Sequence, residues 1–301
     1  MKYKLSIVVI TMNRAEQLKN ALVSCFNCKL PEKTEFVIID NASTDNTEEM
    51  VNALFAEYRF PYKYAKEEEN RGVGGGRNIG FENAEGEYCY FLDDDAIIAP
   101  ECHDTFFTTS LEYFAKNERI SSITTRIYDE ALLCDRDVVS NRIEGIELPV
   151  IFIYLGGSHF LRREYYEKPL YIDIKYGHEE IIPSIFAIDK GKFNCYMDNI
   201  RIIHQPRVNK WQKDTDVMYD IACNADANIL ASKYLIYPAG MRPVLFMSFL
   251  IRLAKHFGTK TKYYKLAWSR FKNTIEGKKL RKISYATIRE ITKKYSIGSA
   301  L

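Results

Sequence analysis

Three consecutive carboxylates, Asp93, Asp94 and Asp95, follow directly behind the short apolar segment 88–92. Carboxylates held this close together repel one another and raise each other's pKa unless a cation neutralises them. Mg²⁺ and Mn²⁺ prefer oxygen ligands, and the ligands of open α/β sheets bind at the carboxyl ends of strands. The run therefore predicts either a divalent cation site at a sheet edge or a solvated acidic turn before a helix near Pro100.

Two other polar segments have side chains that suit a nucleotide. Asp40 closes an apolar segment and begins a loop of turn-forming residues, so its carboxylate suits either a nucleobase N–H or plain turn chemistry. The glycine-rich stretch 72–76 opens a helix between Arg71 and Arg77, where a phosphate site and a flexible loop are both expected. No Gly-Lys-Ser/Thr sequence follows these glycines, which excludes a Walker loop.

Two motifs in the second half suit proton transfer or metal binding. Glu179 and Glu180 stand at the start of an apolar helix, where a carboxylate is either a helix cap or a general base. His204 ends an Ile-rich segment and is either an ordinary packing residue or a ligand that joins two carboxylates around Mn²⁺.

Strands and helices that would position these groups alternate along the first two hundred residues. Apolar, β-branched runs predict buried parallel strands, and the segments between them predict helices. Strands are expected at 5–10, 36–39, 61–65, 88–92, 120–127, 150–155, 193–196 and 200–203. Helices are expected at 14–26, from the glycine-rich stretch to about residue 84, at 100–116, at 179–190 and through 216–301. Residues 129–148 are expected to form a polar excursion.

Charge is spread unevenly along the 301 residues, although the net formal charge is only +2. Residues 1–204 carry 23 Lys and Arg against 34 Asp and Glu, whereas residues 205–301 carry 19 against 6. Residues 233–301 carry 16 against 2, with Phe, Tyr and Trp interleaved, which is typical of interfacial membrane helices and also of a solvated basic face. Nucleic acid is a weaker alternative, because no recognition motif accompanies the charge.

Cysteine usage and the first residues bear on the cellular compartment. Seven irregularly spaced cysteines, with a lone CxxC at Cys25 and Cys28, predict reduced cytosolic thiols that serve in packing. The segment Met1–Ile10 is typical of a strand and not of a signal peptide. The longest apolar run in the basic half, Val244–Ile251, is too short to span a bilayer.

Taken in order, several segments resemble the family-2 glycosyltransferases of the GT-A fold. They read SIVVITMNR, FVIIDNASTDNT, NRGVGGGRNIG, GEYCYFLDDDA, YLGGSHFLRREYYE and GHEEIIPSIFAIDKG. The resemblance implies an α/β GT-A fold, with a mainly parallel, Rossmann-like sheet flanked by helices and a C-terminal helical extension. The expected division is a catalytic domain at 1–215, with a nucleotide-binding half at 1–99 and an acceptor half at 100–215, and a basic helical region at 216–301.

The resemblance also implies roles for single residues. The expected metal ligands are Asp95, Asp93 and His204, holding Mn²⁺ or Mg²⁺. The expected nucleotide-binding residues are Thr11, Asn13, Arg14, Asp40, Asn41, Asn70, Gly72, Arg77, Asp93 and Asp94. Glu180 is the expected base, with Glu179 as the alternative, and Gly156, Gly157 and His178 would meet the acceptor or sugar. The family usually has Asp where Glu180 stands, and residues 181–184 depart from its common Asp-Leu-x-Leu-Arg run.

The implied activity is inverting transfer of a sugar from a UDP- or dTDP-sugar to a hydroxyl of a glycan or lipid-linked acceptor in surface polysaccharide synthesis. The expected location is the cytoplasm, peripherally on the inner face of the cell membrane, with an anionic membrane surface as partner of the basic helices. Homo-oligomerisation is left open. The alternatives are a nucleotidyltransferase, which would release pyrophosphate, and a non-catalytic subunit that binds a nucleotide-sugar or a membrane.

Overall fold

The computed structural model describes residues 2–172, 174, 177–206 and 215–301. Its strands are β1 Tyr3–Thr11, β2 Thr34–Asp40, β3 Tyr62–Lys66, β4 Gly86–Asp93, β5 Ala96–Ile98, β6 Ile120–Asp129, β7 Cys134–Asp135, β8 Ser140–Asn141, β9 Val150–Ile151, β10 Ser158–Arg162 and β11 Phe193–His204. Its helices are α1 Ala15–Phe26, α2 Thr47–Tyr58, α3 Gly72–Asn83, α4 Phe106–Lys116, α5 Ile181–Asp189, α6 Thr215–Ile236, α7 Arg242–Phe257, α8 Thr261–Ile275, α9 Tyr285–Lys294 and α10 Ile297–Ala300.

The strands form one sheet in the order β3-β2-β1-β4-β10-β6-β11-β9-β8, with β5 paired to β11 and β7 to β6. The first four strands in this order are parallel, and β6 is parallel to β11, while β10 runs antiparallel between β4 and β6. Pairing places Thr11 opposite Asp40 and Ile10 opposite Asp93. The carboxyl ends of β1, β2 and β4 therefore meet at one edge, where ligands of parallel sheets bind.

Two glycines let α3 pack against the sheet at close range. A Cβ added at Gly76 would lie 2.7 Å from Ile10 Cγ2, and one added at Gly80 would lie 2.4 Å from Val8 Cγ1. Real Cβ atoms do not approach other carbons this closely, so a side chain at either position would push α3 outward. Gly76, which belongs to the stretch that suggested a phosphate loop, thus also lets α3 lie close to β1.

The buried apolar side chains form a core on either face of the sheet and a further core among the C-terminal helices. The helical core contains residues of α6 to α10 together with Ile181, Ile182, Ile185 and Ile188 of α5. Helix α5, which begins directly after Glu180, is thereby held by the helices that follow the sheet.

Several local predictions differ from the structure. The predicted strand at 150–155 ends at Ile151, because the N–H groups of Tyr154 and Leu155 donate to the side chains of Ser184 and Thr124 instead of to a strand. The two strands predicted at 193–203 are one strand, β11, whose pairing with β6 continues past an irregularity between Met197 and Arg201. Strand β10 escaped prediction because it carries His159 and Arg162, whose polar side chains are buried through hydrogen bonds.

The predictions for the helix at 100–116, for the polar excursion and for the cysteines agree more closely with the structure. The helix predicted at 100–116 is a 3₁₀ turn at Pro100–Cys102 followed by α4, and the polar excursion 129–148 holds only the two short strands β7 and β8. All seven cysteines are free thiols, and only Cys134 is exposed. Among the described helices, none has the length and apolar character needed to cross a bilayer.

Candidate active site

The acidic run lies at the sheet edge where β4 ends. Asp94 is buried, and its carboxylate accepts hydrogen bonds from Thr11 Oγ1 at 2.8 Å and from Arg14 Nη1 at 2.8 Å. Burial raises the pKa of Asp94 to about 6, against the opposing effect of the Arg14 guanidinium. The same Arg14 Nη1 donates to Asp95 Oδ2 at 2.7 Å, so one guanidinium bridges two of the three acids.

A ring of side-chain hydrogen bonds orders the loops beside this edge. Asp40 is fully buried, and its two oxygens accept from the N–H of Ser43 at 2.6 Å and from the hydroxyl of Tyr64 at 2.5 Å. Asn13, which has a φ of +53°, accepts from the N–H of Thr44 at 2.7 Å. Positive φ is tolerated by Asn better than by most residues, so this sequence suits the turn between β1 and α1.

The loop before α3 is tied to the end of β2 through two asparagines. Asn41 Nδ2 donates to Asn70 Oδ1 at 3.0 Å and to the Gly72 carbonyl at 3.1 Å, and Asn41 Oδ1 accepts from the N–H of Arg71. Asn70 also accepts from the N–H of Gly72 at 2.7 Å, where φ is +72°. This arrangement joins Asn41, Asn70 and Gly72 into one rigid corner beside Asp40.

Asp95 and His204 come together through the pairing of β5 with β11, which sets His204 opposite Ala96. Asp95 Oδ1 lies 3.4 Å from His204 Nε2, and the other ring nitrogen, Nδ1, lies 3.0 Å from Asp129 Oδ2. Burial opposes charge on this imidazole, but hydrogen bonds and charge from Asp95, together with a hydrogen bond to Asp129, outweigh burial and raise the pKa of His204. Arg136 also contacts this pair, because its Nη2 lies 3.0 Å from His204 Nδ1 and 3.5 Å from Asp129 Oδ2.

The Asp95–His204 pair suits a divalent cation, although the described residues contain no group of three or more His, Cys, Asp or Glu able to hold one. Adjacent ligands of an octahedral ion with bonds of about 2.1 Å stand roughly 3 Å apart, close to the 3.4 Å between Asp95 Oδ1 and His204 Nε2. Asp129 would fix the ring orientation from behind, as carboxylates do for metal-binding histidines. Two protein ligands are enough where phosphate oxygens and water fill the other positions.

A second charge cluster surrounds Arg77, which is 3% exposed. Its Nη1 lies 2.5 Å from Glu179 Oε1 and 3.2 Å from Glu180 Oε1, and its Nη2 donates to Asp93 Oδ1 and to the Gly156 carbonyl, both at 2.9 Å. Burial alone would lower the pKa of Arg77, but the three carboxylates outweigh it and keep the guanidinium charged. Three acids thus share one buried cation, and Glu179 Oε2 is buried with no hydrogen-bond partner.

Among the acids around Arg77, Glu180 is the one whose pKa is clearly raised. Burial, followed by the neighbouring Glu179, raises the pKa of Glu180 to about 8, while Arg77 acts in the opposite direction. A pKa near the working pH suits a group that takes a proton from a hydroxyl. A Cβ at Gly156 would lie 2.0 Å from Glu180 Oε1, so only glycine leaves room for this carboxylate.

A buried hydrogen-bond chain supports Gly156 from behind, and sequence reasoning missed it. The Tyr154 hydroxyl donates to Tyr171, the Tyr171 hydroxyl lies 3.0 Å from His159 Nε2, and His159 Nδ1 lies 3.1 Å from the Gly156 carbonyl. Burial, followed by the charge of Arg77, lowers the pKa of His159 well below its usual range, so the ring is neutral. Neutral His159 then donates from Nδ1 to Gly156 and accepts from Tyr171 at Nε2.

The structure brings the predicted residues together in two groups that meet at the acidic run. One group surrounds Asp94 and Asp95, and the other surrounds Arg77. Asp93 belongs to the second group, where it is the partner of Arg77, and the predicted contact between Arg77 and a nucleotide stays a prediction. The Gly157 carbonyl accepts from the N–H of Asp93 at 3.1 Å, while His178 is exposed, with a φ of +65°.

Sequence reasoning also missed two other residues of the site, and only one of them gave a signal in the sequence. Asp129 ends β6 as Asp40 and Asp93 end theirs, and the same reasoning about strand ends would have found it. Tyr64 donates to the Asp40 carboxylate from β3, and no local sequence pattern predicts this contact.

Comparison with known proteins finds a family match over the first part of the chain. Residues 6–131 match the model of glycosyl transferase family 2. Poly-beta-1,6-N-acetyl-D-glucosamine synthase of Staphylococcus epidermidis is 24% identical over 216 residues, which are 69% of this chain and 49% of that protein. The abequosyltransferase RfbV of Salmonella typhimurium is 35% identical over 98 residues, 32% of this chain and 29% of that one. The chain spans about half the length, or less, of the curated relatives it matches first.

Solved structures share the fold over nearly the whole chain. A mannosyltransferase from Pyrobaculum calidifontis, in complex with GDP-Man and Mn²⁺, has a TM-score of 0.59 at 15% identity and covers 97% of this chain and 79% of its own. Residues 1–349 of S. aureus TarS, in complex with UDP-GlcNAc, have a TM-score of 0.59 at 15% identity and cover 99% and 89%. Residues 6–131 thus match glycosyl transferase family 2, and the whole chain has the GT-A fold of these solved structures.

Proposed function

We propose that the protein is an inverting glycosyltransferase that moves a sugar from a UDP- or dTDP-sugar to a hydroxyl of a glycan or lipid-linked acceptor in surface polysaccharide synthesis. The observation that carries the proposal is the junction at Asp93–Asp95. The run carries Asp95, which is paired with His204, and Asp93, which shares the Arg77 guanidinium with Glu180, a buried carboxylate whose pKa is raised to about 8. A donor diphosphate at the first and an acceptor hydroxyl at the second would place a sugar between them.

The donor would bind along the first group of residues. Thr11, Asn13 and Asp40 lie at or just after the ends of β1 and β2, and their loops are held by hydrogen bonds before any ligand arrives. Asp95 and His204 would hold Mn²⁺ or Mg²⁺, which, when bound, offsets negative charge on the departing diphosphate. Arg14, which is partly exposed, already supplies positive charge at the same edge.

Glu180 would act on the acceptor. Its ionised carboxylate takes the proton of an acceptor hydroxyl while that oxygen bonds to the anomeric carbon and the bond from this carbon to the diphosphate breaks. Attack from the face opposite the leaving group inverts the anomeric configuration. Arg77 would fix the position of Glu180, and the neutral His159 chain would keep the Gly156 carbonyl on Arg77, so that a hydroxyl meets a base held in place.

Nucleotide release from UDP- and dTDP-sugars, in the presence of Mn²⁺ and with or without a glycan acceptor, tests this proposal. Wild type is expected to release UDP or dTDP, with kcat/KM rising as the pH passes about 8, because only ionised Glu180 accepts a proton. Glu180→Gln should lower the rate by about 10²–10⁴-fold, while Glu144→Gln, an exposed carboxylate, should leave it unchanged.

The same experiment separates the alternatives. Release of pyrophosphate would identify a nucleotidyltransferase. Tight UDP binding without turnover of any sugar donor would identify a non-catalytic subunit. Full activity in Glu180→Gln together with a loss in Glu179→Gln would move the base to Glu179.

We also propose that the protein works peripherally at the cytoplasmic face of the cell membrane. The support is the charge of residues 233–301, where 16 Lys and Arg stand against 2 Glu. A lipid-linked acceptor would be presented at such a surface, and each basic residue near an anionic leaflet contributes about 1 kcal/mol of binding.

A further inference from the structure

Helix α7 carries apolar side chains on two opposite faces. One face, Leu245, Phe249, Leu253 and Phe257, is buried in the helical core. The other consists of residues at helical spacing whose side chains are exposed, namely Val244 at 43%, Met247 at 60%, Leu250 at 50% and Ile251 at 62%. We refer to these four residues as the α7 stripe. An apolar face on solvent, opposite a face already packed, indicates an interaction surface.

One exposed aromatic residue of α8 packs against α7. Trp268 is 41% exposed, and its ring lies 5.7 Å from that of Phe246 on α7. Lys265 and Lys272, both exposed, stand three residues before and four residues after Trp268 and therefore flank it on the same helix face. A tryptophan between two lysines beside an apolar stripe is the composition of a membrane-interface helix.

The surface differs from the one that composition alone suggested. Phe249, Leu253, Phe257, Tyr263 and Phe271 are part of the basic, aromatic-rich segment, but their side chains are buried in the helical core. They pack the fold and are not available to a partner. The exposed residues are those of the α7 stripe and Trp268. Composition cannot distinguish them from the buried ones, because their exposure depends on how α7 packs against α6 and α8.

We propose that the α7 stripe and Trp268 are the surface with which the protein lies on an anionic lipid bilayer. This inference rests on the proposed function for its partner, an acceptor held in a membrane, and names the surface that meets it. Charge distinguishes the two partners that such a surface could meet, a lipid bilayer and a second copy of the chain. Arg242 and Lys255 are exposed on α7 itself, within a region of 16 Lys and Arg against 2 Glu. A second copy would bring like charge against like charge, whereas anionic headgroups complement it.

Sedimentation of the full chain with phosphatidylglycerol and with phosphatidylcholine vesicles tests this surface. We expect binding to the anionic vesicles that weakens between low and high NaCl, and much weaker binding to the zwitterionic ones. The double variant Met247→Glu with Ile251→Glu should reduce partitioning on the order of a hundredfold, because it removes apolar contact and adds negative charge.

A matched control uses Leu132→Glu with Val139→Glu, which adds the same two charges at side chains that are 61% and 87% exposed outside the C-terminal helices. It should stay within about twofold of wild type, since only long-range charge changes. Met247→Ser with Ile251→Ser keeps the net charge and should still weaken binding. Thermal unfolding followed by circular dichroism verifies that each variant is folded.

Fluorescence gives a second measurement that charge alone would not change. In a Trp211→Phe background, emission from Trp268 should shift to shorter wavelength with anionic vesicles, because the ring enters the headgroup boundary. The proposal is overturned if the Glu pair binds vesicles as wild type does. It is also overturned if wild type ignores anionic vesicles, or forms dimers that the Glu pair dissociates while vesicle binding persists. These measurements need no turnover, so they fail or succeed independently of the glycosyltransferase proposal.

Discussion

At the scale of single residues, the central feature is the excess of carboxylates over positive charge around Glu180. It shares one guanidinium, that of Arg77, with Asp93 and Glu179, and all of them lie at the junction between the two halves of the site. Three carboxylates against one cation leave at least one acid that gains by being neutral. A carboxyl group that is largely protonated at neutral pH can exchange its proton there, as the proposed base must.

The raised pKa of Glu180 predicts how stability depends on pH. Between about pH 4.5 and 8 the folded protein binds more protons at this group than the unfolded chain does. The stabilisation given by the neutral side chain is therefore fully present below about pH 4.5 and is lost as the pH rises to about 8. Glu180→Gln, which cannot ionise, should gain stability relative to wild type over this interval, as measured by urea unfolding at pH 5, 7 and 9.

The glutamine at position 180 keeps the size of the side chain, so packing changes little. Exposed Glu144→Gln serves as the control and should show no pH-dependent difference. A constant difference between Glu180→Gln and wild type from pH 5 to 9 would mean that Glu180 titrates as an ordinary carboxyl.

Removal of Arg77 should destabilise the fold strongly. Arg77→Met leaves Asp93, Glu179 and Glu180 without their shared cation, and breaking a buried ion pair from one side costs about 3–5 kcal/mol. The loss should shrink at acidic pH, where the carboxylates become neutral. Arg71→Met, at a half-exposed arginine paired with Glu67 and Glu69, should cost about 0–1 kcal/mol in the same urea titrations. Equal losses for the two variants would contradict the importance of the cluster.

At the scale of elements, the register between β6 and β11 places Asp129 behind the Asp95–His204 pair. That pairing sets Asp129 opposite His204, and the pairing of β5 with β11 holds Asp95 in front of the same ring. The strand ends could be predicted from apolar runs that stop at an acid. The register could not, because it depends on the bulged pairing between Met197 and Arg201, which has no local signature.

Asp129→Asn should weaken Mn²⁺ binding about 10- to 100-fold without removing a direct ligand. The carboxylate at 3.0 Å from His204 Nδ1 fixes the ring, and an amide fixes it less well. Titration of Mn²⁺ in the presence of UDP, followed by electron paramagnetic resonance, measures this. Asp137→Asn, in the nearby exposed loop, is the control. Unchanged affinity in Asp129→Asn would show that Asp129 has only a structural part.

Helix α3 supplies a second prediction at this scale. Gly80→Ala would place a Cβ 2.4 Å from Val8 Cγ1 and should lower the free energy of unfolding by about 1–3 kcal/mol. Gly298→Ala is the matched control, because its added Cβ would meet nothing closer than 3.6 Å. Equal stability of the two variants in guanidinium titrations would show that α3 has room to move.

At the scale of the whole molecule, α5 joins the sheet to the C-terminal helices. Its first turn follows Glu180, and its Ile residues enter the helical core with residues of α6 and α7. The expected division at residue 215, between a catalytic domain and a basic helical region, stays a prediction. Composition could mark where charge changes, but it could not reveal that α5 packs mainly with helices that come after it.

The region proposed to bind the nucleotide was more predictable than the region proposed to meet the acceptor, for a related reason. Strands, turns and acids at 5–95 are local in sequence, and three of the strands there end at predicted site residues, Thr11, Asp40 and Asp93. Glu180 instead depends on Arg77, Gly156 and His159, which come from a helix, a loop and an antiparallel strand far apart in the chain. The resemblance to a family named several of these positions, but only the fold shows that they share one buried cation.

The most direct measurement is a thermal-shift series with Mn²⁺ and UDP, dTDP, GDP, CMP or ADP, on wild type and Asp95→Asn. Ligands that bind only the folded state raise the melting temperature by mass action. We predict a rise with UDP or dTDP that requires Mn²⁺ and is absent in Asp95→Asn, although that variant melts as a folded protein. The same rise in Asp95→Asn, or no rise with any nucleotide, would contradict a metal-assisted nucleotide-sugar site at Asp93–Asp95.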